Sequence, residues 1–390
     1  MPFSFLFNQQ GGDPLNTSAF FAPLNDLGDG EVNLVLTRGS GSATFTRATT
    51  AYTVLSDGVT LKEVASGVPR SRYSPAGVYL GYYSEGERTN SLLHARDLTN
   101  AAWVKVGCTA LKDATGMDGV ANSASTLTAT APDATCLQTL VLAAAARSYS
   151  VGIKRKTGTG TVNICRDGVT FTDVTAQVNS STFTRVKIEN SSVLNPVCGI
   201  KLATSGDEIY VDMNQDEAGV YLSSVIPTTT VAVTRNADVL TYPVAGNEDV
   251  TVGSAYCEIS TDWSTDPADN GDGAQFIGAV GSIALLRVNV SAAATTIIMY
   301  DGTNAPEKTG LSSTATGVRT RAVSWGAGGI SITGDGASTA TGSFDGSTNA
   351  TAISVGCATT GIFQMGGAIK NVRVWITKLT DAQLVTITTP

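Results

Sequence analysis

Charge is scarce in this 390-residue chain: Asp, Glu, Lys and Arg make up 15%, where globular proteins average about 25%. Long runs of Leu, Glu and Lys, the mark of helical proteins, are missing as well. Histidine occurs once, at His94. Any Ser-His-Asp or Cys-His arrangement would have to use it, and no Gly-x-Ser-x-Gly elbow precedes it, so His94 reads as a polar residue on a strand or turn. No Cys-x-x-Cys pair signals a zinc site. The six cysteines, Cys108, Cys136, Cys165, Cys198, Cys257 and Cys357, are dispersed. The first four share one segment that disulfides could bridge, but dispersed singletons are expected to be reduced core thiols. No apolar run reaches the ~20 residues of a membrane helix, so no membrane insertion is expected. The start, MPFSFLFNQQGG, has neither a basic lead nor a cleavage site after an apolar run, and a leaderless soluble protein is expected. Basic clusters are scarce too. With 25 Lys and Arg against 33 Asp and Glu, the net charge is −8. The one dense cluster, Lys154-Arg155-Lys156, reads as a solvated strand end, and nucleic acid is not an expected partner.

Ser, Thr, Gly and Ala fill the gap, with 41 glycines, and Val, Ile and Thr recur in short runs. This is the composition of an all-β protein with many turns, long enough for two to four domains. Residues 1–30 are Phe-rich and broken by Gly and Pro. Phe3, Phe5, Phe7, Phe20 and Phe21 would be costly exposed, so they either dock onto a partner or fold back on the chain's own core. Over 31–100 a β-rich connecting unit is expected. It holds one hairpin from Val32–Arg38 to Ala43–Arg47 and a second around Ser56-Asp57-Gly58. Regularly spaced strands over 101–234 read as a sandwich or jelly roll, with Ala143–Ala146 as a loop, since four residues cannot nucleate a helix. After the extended linker Pro227–Thr230, a second strand-rich module fills 235–390. It closes on a short helix announced by the Thr380/Gln383 capping box and Asp381. The architecture expected is an N-terminal attachment region, two consecutive β-sandwich (jelly-roll) domains and a short C-terminal helix.

Candidate chemistry is sparse. Glu85 and Glu87 share a strand face, and paired carboxylates can cleave glycosides, but neighbouring Arg88 gives a simpler account as an ion pair or clamp. Asp262, Asp266, Asp269 and Asp272, with Asn270, form an oxygen-rich loop of the kind calcium takes, without EF-hand spacing. Among the four tryptophans, Trp325 and Trp375 read as core, and Trp263 beside the acidic loop is the best exposed aromatic for stacking on a sugar.

Three ordered pieces carry a resemblance: Glu85-Gly86-Glu87-Arg88-Thr89-Asn90 running to Trp103; Ile226-Pro227-Thr228 followed by Val233–Val239; and Val372–Trp375 running to Leu384. Together they resemble head-spike and tail-fibre proteins of tailed bacteriophages. The sequence departs at Ser91, His94 and Tyr82-Tyr83, where aliphatic residues are usual. The resemblance implies a carbohydrate-binding-like jelly roll over 101–234 and a concanavalin A/laminin-G-like sandwich over 235–390. It further implies a homotrimeric virion component, assembled in the host cytoplasm, that contacts capsid or tail proteins through its N-terminal phenylalanines. Host-surface polysaccharide would be bound through Trp263 and Tyr221. No cofactor is expected beyond Ca2+, which laminin-G-like sandwiches often hold. Glu85, Arg88, Asn90 and Trp103 would form a structural cluster. No catalysis is expected; the alternatives are a glycan depolymerase and a purely structural capsid decoration protein.

Overall fold

The computed structural model describes residues 14–261, 274–280, 283–288, 296–311 and 317–390. Within them the chain is all-β, with several antiparallel sheets and one α-helix, Asp381–Thr388.

One sandwich spans Val104 to Ala218. Its first sheet runs Val104–Val106, Ala134–Thr139, Val197–Leu202, Val162–Cys165, Phe171–Asp173. Its second runs Cys108–Ala114, Ala124–Ala129, Glu208–Ala218, Ala146–Thr157, Thr184–Ser192. The period of two explains the layering. In Ala146–Thr157, Tyr149, Val151 and Ile153 enter the core, while Gly152 and Lys154 fall on the opposite face. A Cβ at Gly152 would lie 2.4 Å from the Met117 sulfur, so a larger residue there would push the Met117 side chain aside. The core between the sheets gathers Trp103, Leu127, Ile164, Val186, Ile200 and Val211. The alanine run leads into the strand as irregular backbone up to residue 145, as its length implied.

The second sandwich is built from both ends of the chain. Its ten-stranded sheet places Arg70–Tyr73 and Tyr79–Ser84 beside Gly367–Trp375, Gly253–Thr261 and Arg319–Trp325. Its seven-stranded sheet ends with Ala352–Val355, Val239–Pro243 and Thr44–Thr46. The connecting unit expected over 31–100 is therefore corrected: most of its strands belong to the C-terminal sandwich. The expected hairpin from Val32 to Arg47 is corrected too. Glu31–Val32 pairs toward Arg70, while Thr44–Thr46 pairs with Val239–Thr241 in the other sheet. The second hairpin forms, with Ala51–Val54 against Leu61–Val64 and Asp57 accepting from the Val59 and Thr60 amides.

Phe20 and Phe21 are likewise corrected as docking residues. Their strand pairs with Val372–Val374. Phe20 is fully buried and meets Tyr242 edge-on at 5.1 Å. The Arg373 guanidinium lies 3.5 Å over the Phe21 ring, and the Trp375 indole donates to the Pro14 carbonyl. Phe3, Phe5 and Phe7 lie outside the described residues. The C-terminal helix carries its capping box: Thr380 N–H donates to Gln383 Oε1 at 2.9 Å, and Thr380 Oγ1 accepts from Gln383 N–H at 3.3 Å. All six cysteines are free, and among the described residues no helix is long and apolar enough to cross a membrane.

Candidate functional site

A buried network of charges lies where the linker meets the second sandwich. Glu85 follows the strand Tyr79–Ser84, Arg70 opens its neighbour, and Arg235 and Asp238 follow the linker. Glu85 Oε2 accepts from Arg235 and lies 2.9 Å from Arg70 Nη2. Ser224 donates its N–H to Glu85 Oε1 at 2.7 Å and its hydroxyl to Oε2 at 2.6 Å. Asp238 takes Arg70 at 2.6 Å and Arg47 at 2.8 Å. These five charged side chains are essentially inaccessible to water. Burial alone would raise the Glu85 carboxyl; Arg235, Arg70 and the Ser224 donors outweigh it and hold the group far below its usual range.

Arg88, the expected partner of Glu85, also makes contacts of its own. Its guanidinium lies 5.4 Å over the ring of Tyr221, and its strand Arg88–Asn90 pairs with Val233–Arg235. Asn90 uses its whole amide: it donates to the carbonyls of Asn214 and Ile226 and accepts from the N–H groups of Leu92 and Asp216. It thus ties the first sandwich to the linker. Trp103 is buried in that sandwich's core and donates to the His94 carbonyl. Sequence reasoning missed Arg70, Ser224 and Arg235 as partners of Glu85. A lone arginine in a Val-Pro-Arg-Ser context carries no sign of burial, and Ser224 and Arg235 lie 139 and 150 residues away.

Beside this network a cleft of about 620 Å³ opens between the hairpin Ala51–Val64 and the outer face of the first sandwich. Its walls include Tyr52, Arg72, Phe183, Arg185, Lys187 and Glu189. The Arg72 guanidinium lies 4.6 Å over the Tyr83 ring. Arg185 donates to Ser150 Oγ at 2.9 Å and to the Ser223 carbonyl at 2.6 Å, while its Nη2 has no hydrogen-bond partner. Burial pushes this guanidinium below its usual value, against the pull of Glu217 and Tyr83. Lys187 pairs with Glu189 at 2.6 Å. Next to the cleft, Lys154 Nζ sits 5.2 Å over Phe183 and 5.0 Å over Tyr210.

Tyr221 is corrected as a sugar-stacking residue: it is buried in the second core beneath Arg88, so no ring face is open to solvent. Trp263 and the aspartates Asp262, Asp266, Asp269 and Asp272 lie outside the described residues. Among the described residues, no three His, Cys, Asp or Glu side chains converge as a metal site. Fold and site together define an all-β protein of two sandwiches, with a buried ion-pair network where the linker meets the second and an open cleft beside it. Compared with known proteins, the chain matches no family and no curated sequence.

Proposed function

We propose that this chain is a displayed virion component, a fibre or spike of a tailed bacteriophage, that binds host-surface glycan without breaking bonds. The observation that carries the binding reading is the cleft at the joint. It combines aromatic rings, planar guanidinium groups and hydroxyls in an open groove, the mixture that fits the apolar faces and hydroxyl edges of sugars. Such grooves hold ligands by a few placed polar groups on an apolar floor. The braced joint supports display, because a rigid pair of sandwiches presents the cleft in one orientation. The phage assignment and the homotrimer rest on the resemblance of the Glu85–Trp103, Ile226–Val239 and Val372–Leu384 stretches. Trimerisation would multiply weak single-site affinity.

The depolymerase alternative loses its best carboxylate, since Glu85 is committed to Arg70 and Arg235. The test is adsorption of the purified chain to host-surface polysaccharide, run beside a reducing-sugar assay. Retention of the polysaccharide with no sugar release, weakened by Phe183→Ala, is the expected result. Sugar release, or retention that ignores the cleft, would overturn the reading.

A further inference from the structure

The Lys154-Arg155-Lys156 cluster looks uniform in sequence and is not uniform in space. Arg155 is paired with Asp207 at 3.2 Å and Lys156 with Glu208 at 3.4 Å. Lys154 has no carboxylate partner among the described residues and rests on two aromatic rings instead. The strands then decide its company. Ala146–Thr157 pairs with Thr184–Ser192 with Gly152 opposite Arg185 and Ile153 opposite Thr184. Val151 and Ile153 on one strand and Val186 on the other point into the core. Alternation therefore puts Lys154, Arg185 and Lys187 on the same outer face, beside Phe183 and above the cleft floor.

The charge on that face is unbalanced. Glu189 is the lone carboxylate among the cleft-lining residues, and it also accepts from the Leu222 amide. Against it stand Arg185 and Lys187, the latter paired with it at 2.6 Å, with Lys154 at the rim. A chain of net charge −8 thus gathers cations at one aromatic groove. Part-buried cations in a groove act through a lower dielectric than water and favour an anion strongly.

We propose that the cleft and the adjoining Lys154–Phe183 shelf bind an acidic saccharide, one whose carboxylate or sulfate groups meet Arg185, Lys187 and Lys154 while a sugar face lies on Phe183. This assignment rests on the glycan-binding reading above and narrows it to a chemical class. A nucleic acid fits less well, because the chain is acidic overall and the cation row is short. An acidic sugar needs only one charge per residue or two.

The test uses the full chain and calorimetric titration with hexasaccharides of homogalacturonan, hyaluronan and a sulfated galactan, against maltohexaose and a dT12 oligonucleotide. At least one acidic sugar is expected to bind tenfold or more tightly than maltohexaose, with affinity falling as salt rises. Lys154→Gln and Lys187→Gln, both on the surface, should each weaken binding about three- to tenfold with unchanged thermal unfolding. Arg185→Met should weaken it further. Equal binding of maltohexaose would overturn the acidic assignment and leave the glycan reading standing. Binding of no saccharide would remove both. Equal binding of the oligonucleotide would show a site that reads charge alone and overturn the proposal.

Discussion

Glu85 and Glu248 are two buried carboxyls with opposite pH behaviour. Glu85 sits between Arg70 and Arg235, which hold its folded-state pKa below the ordinary 4.5. Its stabilisation is present above that ordinary value and is lost as pH falls toward the folded-state pKa. Removing the charge strands two buried guanidinium groups, and Glu85→Gln is expected to cost about 3–5 kcal/mol at neutral pH, read by urea unfolding. Glu248 is buried beside Asp249. It accepts one hydrogen bond from Thr348 at 2.7 Å, and its Oε2 has no partner. Burial raises it from 4.5 to about 7. The folded state then binds a proton that the unfolded chain releases, so its contribution is complete below pH 4.5 and is lost as pH rises to about 7. The size is about 3 kcal/mol. Glu248→Gln should remove that slope and raise stability at pH 8. A variant whose unfolding free energy keeps the wild-type slope between pH 5 and 7 would refute this account.

At the scale of elements, the N-terminal strand Phe20–Ala22 is the most informative. It pairs with a strand some 350 residues on, and Phe20 fills the core against Tyr242. Deleting residues 1–28 should therefore unfold or strongly destabilise the C-terminal sandwich, since loss of a buried Phe alone costs about 3–5 kcal/mol. Deleting only 1–13 leaves this strand in place, so virion entry can be read apart from its loss. If that shorter form also fails to enter virions, an attachment role belongs to the first thirteen residues. The sequence reveals this strand's burial only halfway: Phe-Phe-Ala is plainly apolar, but an apolar end suits a partner's surface as well as the chain's own. Local signals were legible where they are self-contained, as in the Thr380/Gln383 box, the Ser56-Asp57-Gly58 turn and the alternation from Tyr149 to Ile153. Pairing partners were not, because antiparallel register between Thr44–Thr46 and Val239–Thr241 leaves no mark on either segment alone. The cleft was illegible for the same reason. Its walls come from the hairpin near Tyr52, the strand near Arg185 and the linker near Ser224, each unremarkable by itself.

At the scale of the molecule, the joint decides how the two sandwiches behave. The bonds of Asn90 cross it, because they reach Asn214 and Asp216 in the first sandwich, while the Glu85–Arg235 pair and the Arg88–Asn90 ladder with Val233–Arg235 tie the linker to the second. The linker itself is pinned, with Thr228 buried and its hydroxyl donating to the Leu92 carbonyl. The bonds of Asn90 to Asn214 and Asp216 are lost if either sandwich opens, and opening the second would leave buried charges unpaired. The sandwiches should therefore unfold together, in one calorimetric transition. Asn90→Ala removes the side-chain bonds without leaving a charge behind. It strands four backbone groups, two donors and two acceptors, at roughly 1–3 kcal/mol for each one that stays buried. The expected outcome is a lower first transition that separates from the second, with the joint loosened and each core intact. A single transition merely shifted downward would mean that the coupling is carried by other bonds across the joint, such as that from Arg147 to the Ser91 hydroxyl.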